Sequence, residues 1–428
     1  MLIAGEASGD MLAAELVQDL RQAIADAEAA PTPDHQPLHA SLEPQFFGAG
    51  GPCMAAAGVD LAFDLTQHSV VGFSDVLKNY LKFRRLFHQL LRLARERQPD
   101  AIICVDFSGF NRRFAHAVKQ LIRARAGWFH SWNPKLIQYV SPQVWASRES
   151  RAYQVARDYN LVLSIFPFEK EWYAKRVPNL RVEFIGHPLI DRHRKSAETA
   201  QPRRHDEAPI APTAAPPGSA ILHPPSSPLI LLLPGSRRSE VARHLPVMIR
   251  ALALMRATLP DLRAGMVLPS PALAHQVKNF RLPAYLEVQV GALPEALAAA
   301  DLAIASTGTV TMECAYFGLP TVTLYKTSWI NYEIAKRIVK IQWLTMPNIL
   351  DDQPLFPEFV QYDATPENVS RAALEILRDP ARQARIKAHL AGIIARLGAP
   401  GASHRAAQAI VQLIHHTPQN PPGSARAT

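Results

Sequence analysis

The chain has 428 residues, more than one comfortable core accommodates, so two domains are expected. A hydrophobic content of 48% beside 19% charged residues is that of a globular protein, and no uninterrupted apolar run approaches the ~18–20 residues that span a bilayer. Lys and Arg number 46 against 37 Asp and Glu, and the net charge of +9 points to an anionic partner: nucleic acid, anionic lipid or a phosphorylated substrate.

The start, Met1-Leu2-Ile3-Ala4-Gly5, leads at once into Glu6 and Asp10 and has no cleavable signal pattern. Leu2–Ala4 reads as a strand, Gly5-Glu6-Ala7-Ser8-Gly9-Asp10 as a small-residue loop, and Met11–Ala25 as a helix. Gln45–Gly48 is a second strand. Val70-Val71-Gly72-Phe73 precedes a stretch in which Lys82, Arg84, Arg85, Arg92, Arg95 and Arg97 interleave with Leu81, Phe83, Leu86, Phe87, Leu90 and Leu91. A basic amphipathic helix beside an apolar run fits a membrane surface; the alternative is an ordinary helix with a solvated basic face. Further strands are read at Ala101–Val105, running into Asp106, at Leu136–Val140, ending at Ser141-Pro142, at Leu161–Ile165, and at Val182–Ile185, ending at Gly186-His187-Pro188. Alternating strands and helices imply a parallel sheet, whose ligands bind outside the carboxyl ends of the strands.

Residues 194–228 change composition, with eight prolines among Ala, Ser and His, and read as a linker or surface insertion. A fresh α/β series follows: Leu229–Leu233, Gly265–Leu268, Leu286–Val290, Leu302–Ala305 and Thr321–Leu324. The expected division is therefore 1–193, 194–228, 229–398 and 399–428, the last being a helix packing back on the N-terminal domain and a tail. Cys53, Cys104 and Cys314 are scattered, without metal-ligand spacing, and read as buried thiols in a reducing cytoplasm.

Several chemistries are excluded. No Gly-Lys dipeptide supports a P-loop, Gly48-Ala49-Gly50-Gly51 lacks the third glycine of a dinucleotide fingerprint, and no Asp-x-Asp triplet supports a metal-dependent transferase. What remains is polar residues at strand ends. The run from Leu302 to Leu324 passes from a strand into Ser306, Thr307, Gly308 and Thr309, then a helix carrying Glu313. A helix start after a parallel strand presents N–H groups and a positive dipole end to an anion, and Glu313 would reach outward to sugar hydroxyls. Pro234-Gly235-Ser236-Arg237 ends another strand; a cation at a positive helix end is disfavoured unless an anion sits there, so Arg237 reads as a phosphate ligand. Asp106 is a general base or a helix cap. His187 is a base, a phosphate donor or a packed turn histidine. Asn348 binds a ligand or stabilises a turn.

Eight segments, GEASGD, VDFSGFN, YVSPQVWA, FPFE, FIGHPLID, LLLPGSRRSE, ASTGTVTMEC and MPNIL, together resemble the lipid-A-disaccharide synthase family in order and across most of Met1 to Asp351. The resemblance implies a GT-B glycosyltransferase: two Rossmann-like parallel-sheet domains facing a cleft. It implies inverting transfer from UDP-2,3-diacylglucosamine to 2,3-diacylglucosamine 1-phosphate (lipid X), with no metal or cofactor, on the inner face of the cytoplasmic membrane. Carried over, Asp106 is the base. Gly235, Ser236, Arg237, Ser306, Thr307, Gly308, Thr309, Glu313 and Asn348 bind the donor in the 229–398 domain. Glu6, Ser8, Gly9, Asp10, Ser141 and His187 bind the acceptor in the 1–193 domain. Val70, Val71, Phe73, Lys82, Arg84 and Arg85 meet the membrane. Nucleic acid is not an expected partner, and an oligomer is compatible. Two departures stand out. The family's first strand should already be under way where this chain starts, and the 194–228 insertion is long. The alternatives are another GT-B enzyme, such as a UDP-N-acetylglucosamine 2-epimerase, and a non-enzymatic basic membrane- or nucleic-acid-binding protein.

Overall fold

A computed structural model describes residues 1–29, 43–68, 80–125, 131–200 and 227–415. Packing divides the chain into two units, Met1–Asp191 with Leu397–Thr428, and Arg192–Arg396.

In the first unit seven strands form one parallel sheet: β1 (Leu2–Ala4), β2 (Phe47–Gly50), β3 (Asp60–Asp64), β4 (Ala101–Val105), β5 (Lys135–Tyr139), β6 (Leu161–Ser164) and β7 (Arg181–Phe184). Their order is β3-β2-β1-β4-β5-β6-β7. The inner strands are continuous apolar runs, because helices cover both faces of the sheet. β1 is short yet central, bonded to β2 and β4. Gly48 lets β2 lie beside it: φ is +153°, and a Cβ there would stand 1.9 Å from the Leu2 carbonyl oxygen. The first helix, Ala7–Ala29, begins inside the segment expected as a loop, so Ser8, Gly9 and Asp10 belong to its first turn.

The chain returns to this unit at Leu397, and the helix Ala402–His415 packs on Ala7–Ala29. Asp191 caps that helix by accepting from Gly401 N at 2.5 Å and Ala402 N at 2.8 Å. Arg405 Nε donates to the Ile185 carbonyl at 2.7 Å. The helix Pro188–Ala200 runs into the expected linker; residues 201–226 lie outside the described residues. Cys104 and Cys314 are buried, and burial pushes both thiols up to about 12. Cys53 is exposed instead, because the short helix Pro52–Ala56 buries only Met54.

The second unit repeats the design with six parallel strands, β8 (Leu229–Leu233), β9 (Arg263–Leu268), β10 (Leu286–Val290), β11 (Leu302–Ser306), β12 (Thr321–Tyr325) and β13 (Glu358–Val360), ordered β10-β9-β8-β11-β12-β13. The helix Arg238–Thr258 buries Val241, Leu245, Met248 and Leu252 on one face and packs against the helix Pro366–Arg378. His244, fully buried on that helix, joins two strand exits: Nδ1–H donates to the Pro234 carbonyl at 2.8 Å, and Nε2 accepts from Lys326 N at 3.0 Å.

These two bonds require the neutral ring, and burial lowers the His244 pKa below the ordinary 6.5. Above that value folded and unfolded states are both neutral. As pH falls through it the unfolded chain takes a proton that the native site refuses, so stability declines on the acid side. Urea titrations of the wild type should show a midpoint that drops as pH falls below about 6.5, and His244→Gln should be less stable yet lose part of that dependence. An unchanged pH slope in the variant would show that another group carries it.

Candidate functional site

In each sheet the strand order reverses once, between β1 and β4 and between β8 and β11, and there the connections leave toward opposite faces and open a crevice at the carboxyl ends.

At the first crevice β4 ends and the chain bends sharply. Asp106 and Phe107 have φ of +46° and +43°, a conformation that costs an L residue roughly 1–2 kcal/mol. The bend is stapled from below. Asp106 N donates to the Tyr139 carbonyl at 2.9 Å. The Asp106 carbonyl accepts from Asn111 Nδ2 at 2.9 Å and Gln138 Nε2 at 3.3 Å. Asn111 and Gln138 are fully buried, and the sequence reading gave neither a role. The Phe107 ring lies over Gly5, where a Cβ would stand 2.2 Å from it. The partly buried Asp106 side chain is thus set at the strand end beside the β1 exit.

The expected acceptor residues separate into two groups. Glu6 and Ser8 are partly exposed at the β1 exit, with Gly9 against the Val105 carbonyl and the Asp106 Cβ. Asp10 is 1% exposed and turned inward, accepting from Gly51 N, Cys53 N and Met54 N at 2.7, 2.9 and 3.1 Å. Its carboxylate is committed to the Gly51–Met54 turn. Ser141 is buried behind the β5 exit. His187 Nδ1 accepts from Leu189 N at 3.1 Å, which makes it a capping turn histidine with its ring against Phe166.

At the second crevice two loops leave neighbouring strands, Pro234–Arg237 after β8 and Ser306–Thr309 after β11. Gly235 has φ +123°, and a Cβ there would meet Glu240 at 2.6 Å. Glu240, in the first turn of Arg238–Thr258, accepts from Ser236 N at 3.2 Å and from Arg237 Nη1 at 2.9 Å. Here the anion that a cation at this helix end requires is Glu240, a residue given no role from sequence. Gly308 and Thr309 are open to solvent, Thr307 is partly buried, Ser306 is buried, and Thr311 Oγ1 donates to the Gly308 carbonyl at 2.7 Å.

Two donor expectations need correction. Glu313 does not reach outward: its residue is 8% exposed and paired with Arg192 Nη1 at 3.3 Å and with His193 Nε2. The His193 ring stacks on Tyr316, centroids 4.6 Å apart. The basic run after Pro188 was the available signal for this pairing. Asn348 is fully buried, donating to the Phe356 carbonyl and Glu358 Oε1, both at 2.8 Å, and accepting from Phe356 N at 2.9 Å. Its polar atoms are committed to the β13 approach.

The helix Tyr80–Arg97 divides its faces. Leu90 and Ala94 are buried, and Leu86, Phe87, Leu91 and Leu93 pack against the core; much of the apolar side expected to meet lipid therefore faces the sheet. Lys82, Arg84 and Arg85 are exposed, with Leu81 at 68%. Val70, Val71 and Phe73 lie outside the described residues. No helix among the described residues is long and apolar enough to cross a membrane.

Comparisons with known proteins bear on the fold and the family. The family model for lipid-A-disaccharide synthetase matches residues 1–412. The lipid-A-disaccharide synthases of Geobacter metallireducens and Anaeromyxobacter dehalogenans are 31% and 33% identical to this chain, each alignment covering 97% of both proteins. Among solved structures, the S. aureus MnaA–UDP co-structure aligns with a TM-score of 0.58 over 99% of both chains at 13% identity. The calicheamicin glycosyltransferase CalG4 aligns with 0.53 over 97% of both at 14%. At such identities these two speak for the fold alone, a pair of parallel-sheet α/β domains of the GT-B class. Full-length agreement with the family and with its curated relatives decides the rest: the chain belongs to the lipid-A-disaccharide synthase family, the glycosyltransferases of lipid A biosynthesis.

Proposed function

We propose that the chain joins the sugar of UDP-2,3-diacylglucosamine to 2,3-diacylglucosamine 1-phosphate, giving the β-1,6-linked disaccharide 1-phosphate and UDP. The observation that carries this reading is Asp106, a carboxylate held at the β4 exit by a strained and stapled bend. Asp106 takes the proton of the acceptor 6-hydroxyl as that oxygen attacks C1 of the donor sugar. The bond from C1 to the diphosphate breaks on the opposite face, so the anomeric centre inverts. Arg237 and the Ser306–Thr309 loop receive the diphosphate, the guanidinium exchanging Glu240 for phosphate oxygens. Glu313 is the hydroxyl acceptor for the ribose, held ready by His193 and Arg192. The overall reaction is tested by incubating the protein with both lipids and identifying the product by mass spectrometry; an absent disaccharide, or a product epimerised at C2, would refute it.

Loss of a general base costs about 10²–10⁴ in rate. Asp106→Ala should lose turnover to that extent while UDP binding and the circular dichroism spectrum stay those of the wild type. Near-normal turnover would leave Asp106 as a shaping residue of the bend.

Arg237→Ala removes a charge-assisted contact to phosphate worth roughly 1.5–3 kcal/mol. The observed loss in UDP affinity should fall at the low end, since the wild type gives up its 2.9 Å bond to Glu240 on binding. Titration calorimetry measures it. Unchanged UDP affinity with weakened lipid X binding would place the donor on the other unit.

The exposed Lys82, Arg84 and Arg85 are proposed to dock on anionic lipid, each contributing about 1 kcal/mol, screened by salt. Replacing all three with Glu should abolish sedimentation with anionic vesicles and spare turnover of soluble short-chain substrates. Persistent vesicle binding at physiological salt would move the contact elsewhere.

A further inference from the structure

The helix Pro167–Ala174 and the turn after β5 enclose a carboxyl group that the reaction does not use. Glu169 is fully buried; its carboxyl meets the Trp145 indole and the Ser164 hydroxyl, and the Ser141 hydroxyl and the Phe166 backbone also act on it. Trp145 Nε1 donates to Oε1 at 3.0 Å. Oε2 lies 2.6 Å from Ser164 Oγ, and the same hydroxyl lies 2.7 Å from the Phe166 carbonyl oxygen.

A serine hydroxyl has one proton and serves one of these two oxygens at a time. Both separations are those of hydrogen bonds, so two protons are needed. The second can come from Glu169. Its O–H donates to Ser164 Oγ, Ser164 donates to Phe166, and Oε1 remains free to accept from Trp145. Desolvation acts in the same direction: burial pushes the Glu169 pKa up to about 7, with the bonds from Ser164, Trp145, Ser141 and the Phe166 backbone offsetting part of the rise. The titratable groups nearby do not replace that proton. Tyr173, on the same helix, gives its hydroxyl proton to the Pro142 carbonyl at 3.3 Å, and its phenol is raised by burial. Arg112 acts on Tyr173, and His187 touches Phe166 with its ring.

We propose that Glu169 is a neutral acid whose proton, given to Ser164, leaves the Ser164 hydroxyl to hold the Phe166 carbonyl and so keeps the FPFE turn, with the Phe166 ring against His187, in the position that the acceptor site requires. Glu169 is a positioning residue, and its role rests on the reading that Ser141 and His187 line that site. When Glu169 ionises, the carboxylate takes the single Ser164 proton and the Phe166 carbonyl loses its 2.7 Å bond, keeping the longer one from Glu169 N at 3.3 Å. The FPFE turn then loosens, so acceptor KM should rise on the alkaline side of about 7 while donor binding holds.

The test uses the full chain and two variants. Glu169→Gln keeps a donor toward Ser164 and an acceptor for Trp145 but cannot ionise; Glu169→Ala keeps neither. Infrared difference spectra between acid and alkaline buffer should show a protonated-carboxyl C=O band in the wild type that Glu169→Gln lacks. At saturating donor, Glu169→Gln should hold a low acceptor KM across the pH range. Glu169→Ala should raise it roughly tenfold at every pH, the size expected from orphaning buried donors. UDP binding should be equal in all three. A missing band, or a Glu169→Gln variant as impaired as Glu169→Ala, would overturn the neutral acid. A band that titrates with no change in acceptor KM would overturn its positioning role. If substitutions of Ser141 and His187 then also leave acceptor KM unmoved, the acceptor placement itself has failed.

Discussion

A parallel sheet covered by helices on both faces has one natural opening, the point where its strand order reverses, and both sheets of this chain depend on it. In the N-terminal unit that opening is shaped by the close approach of Phe107 to Gly5. With no Cβ at Gly5, the bend after β4 can close over the β1 exit, which brings Asp106 to the rim. Two left-handed residues in succession are unfavourable, and the side-chain amides of Asn111 and Gln138 make the bend persist by bonding carbonyls that the turn exposes. The catalytic proposal for Asp106 therefore depends on buried amides as much as on the carboxylate.

The second unit handles charge in a related way. Arg237 and Glu240 satisfy each other at a helix start, while Glu313 is held by Arg192 and His193. A strand-end loop built for a diphosphate would carry unbalanced positive charge without such partners. Glu240 also fixes the loop through Ser236 N, so it acts as an internal counter-ion and as a brace.

The central strands were legible because their apolar runs end at Gly, Pro or Ser. At the edges β7 and β10 were read but β3 and β13 were not. β3 reads Asp-Leu-Ala-Phe-Asp and β13 Glu-Phe-Val, both partly exposed, and half-solvated edges carry acids that hide a strand pattern. The start of Ala7–Ala29 was missed because Ser, Gly and Asp suit a helix's first turn as well as a loop. Motif positions singled out Asp106 and Arg237 as candidates, but not the residues that brace them. His193 meets Glu313 across 120 residues and Asp10 meets Gly51 across 41, and no local pattern encodes such partners. Asn348 stood in a quoted motif for a reason the motif does not state: it braces the approach to β13.

The carboxylates of this fold differ in what could displace their partners. Asp10 and Asp191 accept from backbone amides, which have no alternative position, so a ligand would have to break the turn or helix start to recruit them. Glu240 is held by an arginine side chain that is 37% exposed, and an ion pair of that exposure is worth at most about 1 kcal/mol. A diphosphate, doubly charged and planar-fork compatible, can outbid such a pair for the guanidinium. The same comparison separates Glu313 from Asn348. Glu313 is held by side chains that have freedom to turn, whereas Asn348 is bonded to the backbone of Phe356 on both sides of its amide. Residues whose partners can move are the ones able to serve a ligand, and in the second unit that criterion favours Arg237 and Glu313 over Asn348 for the proposed donor site.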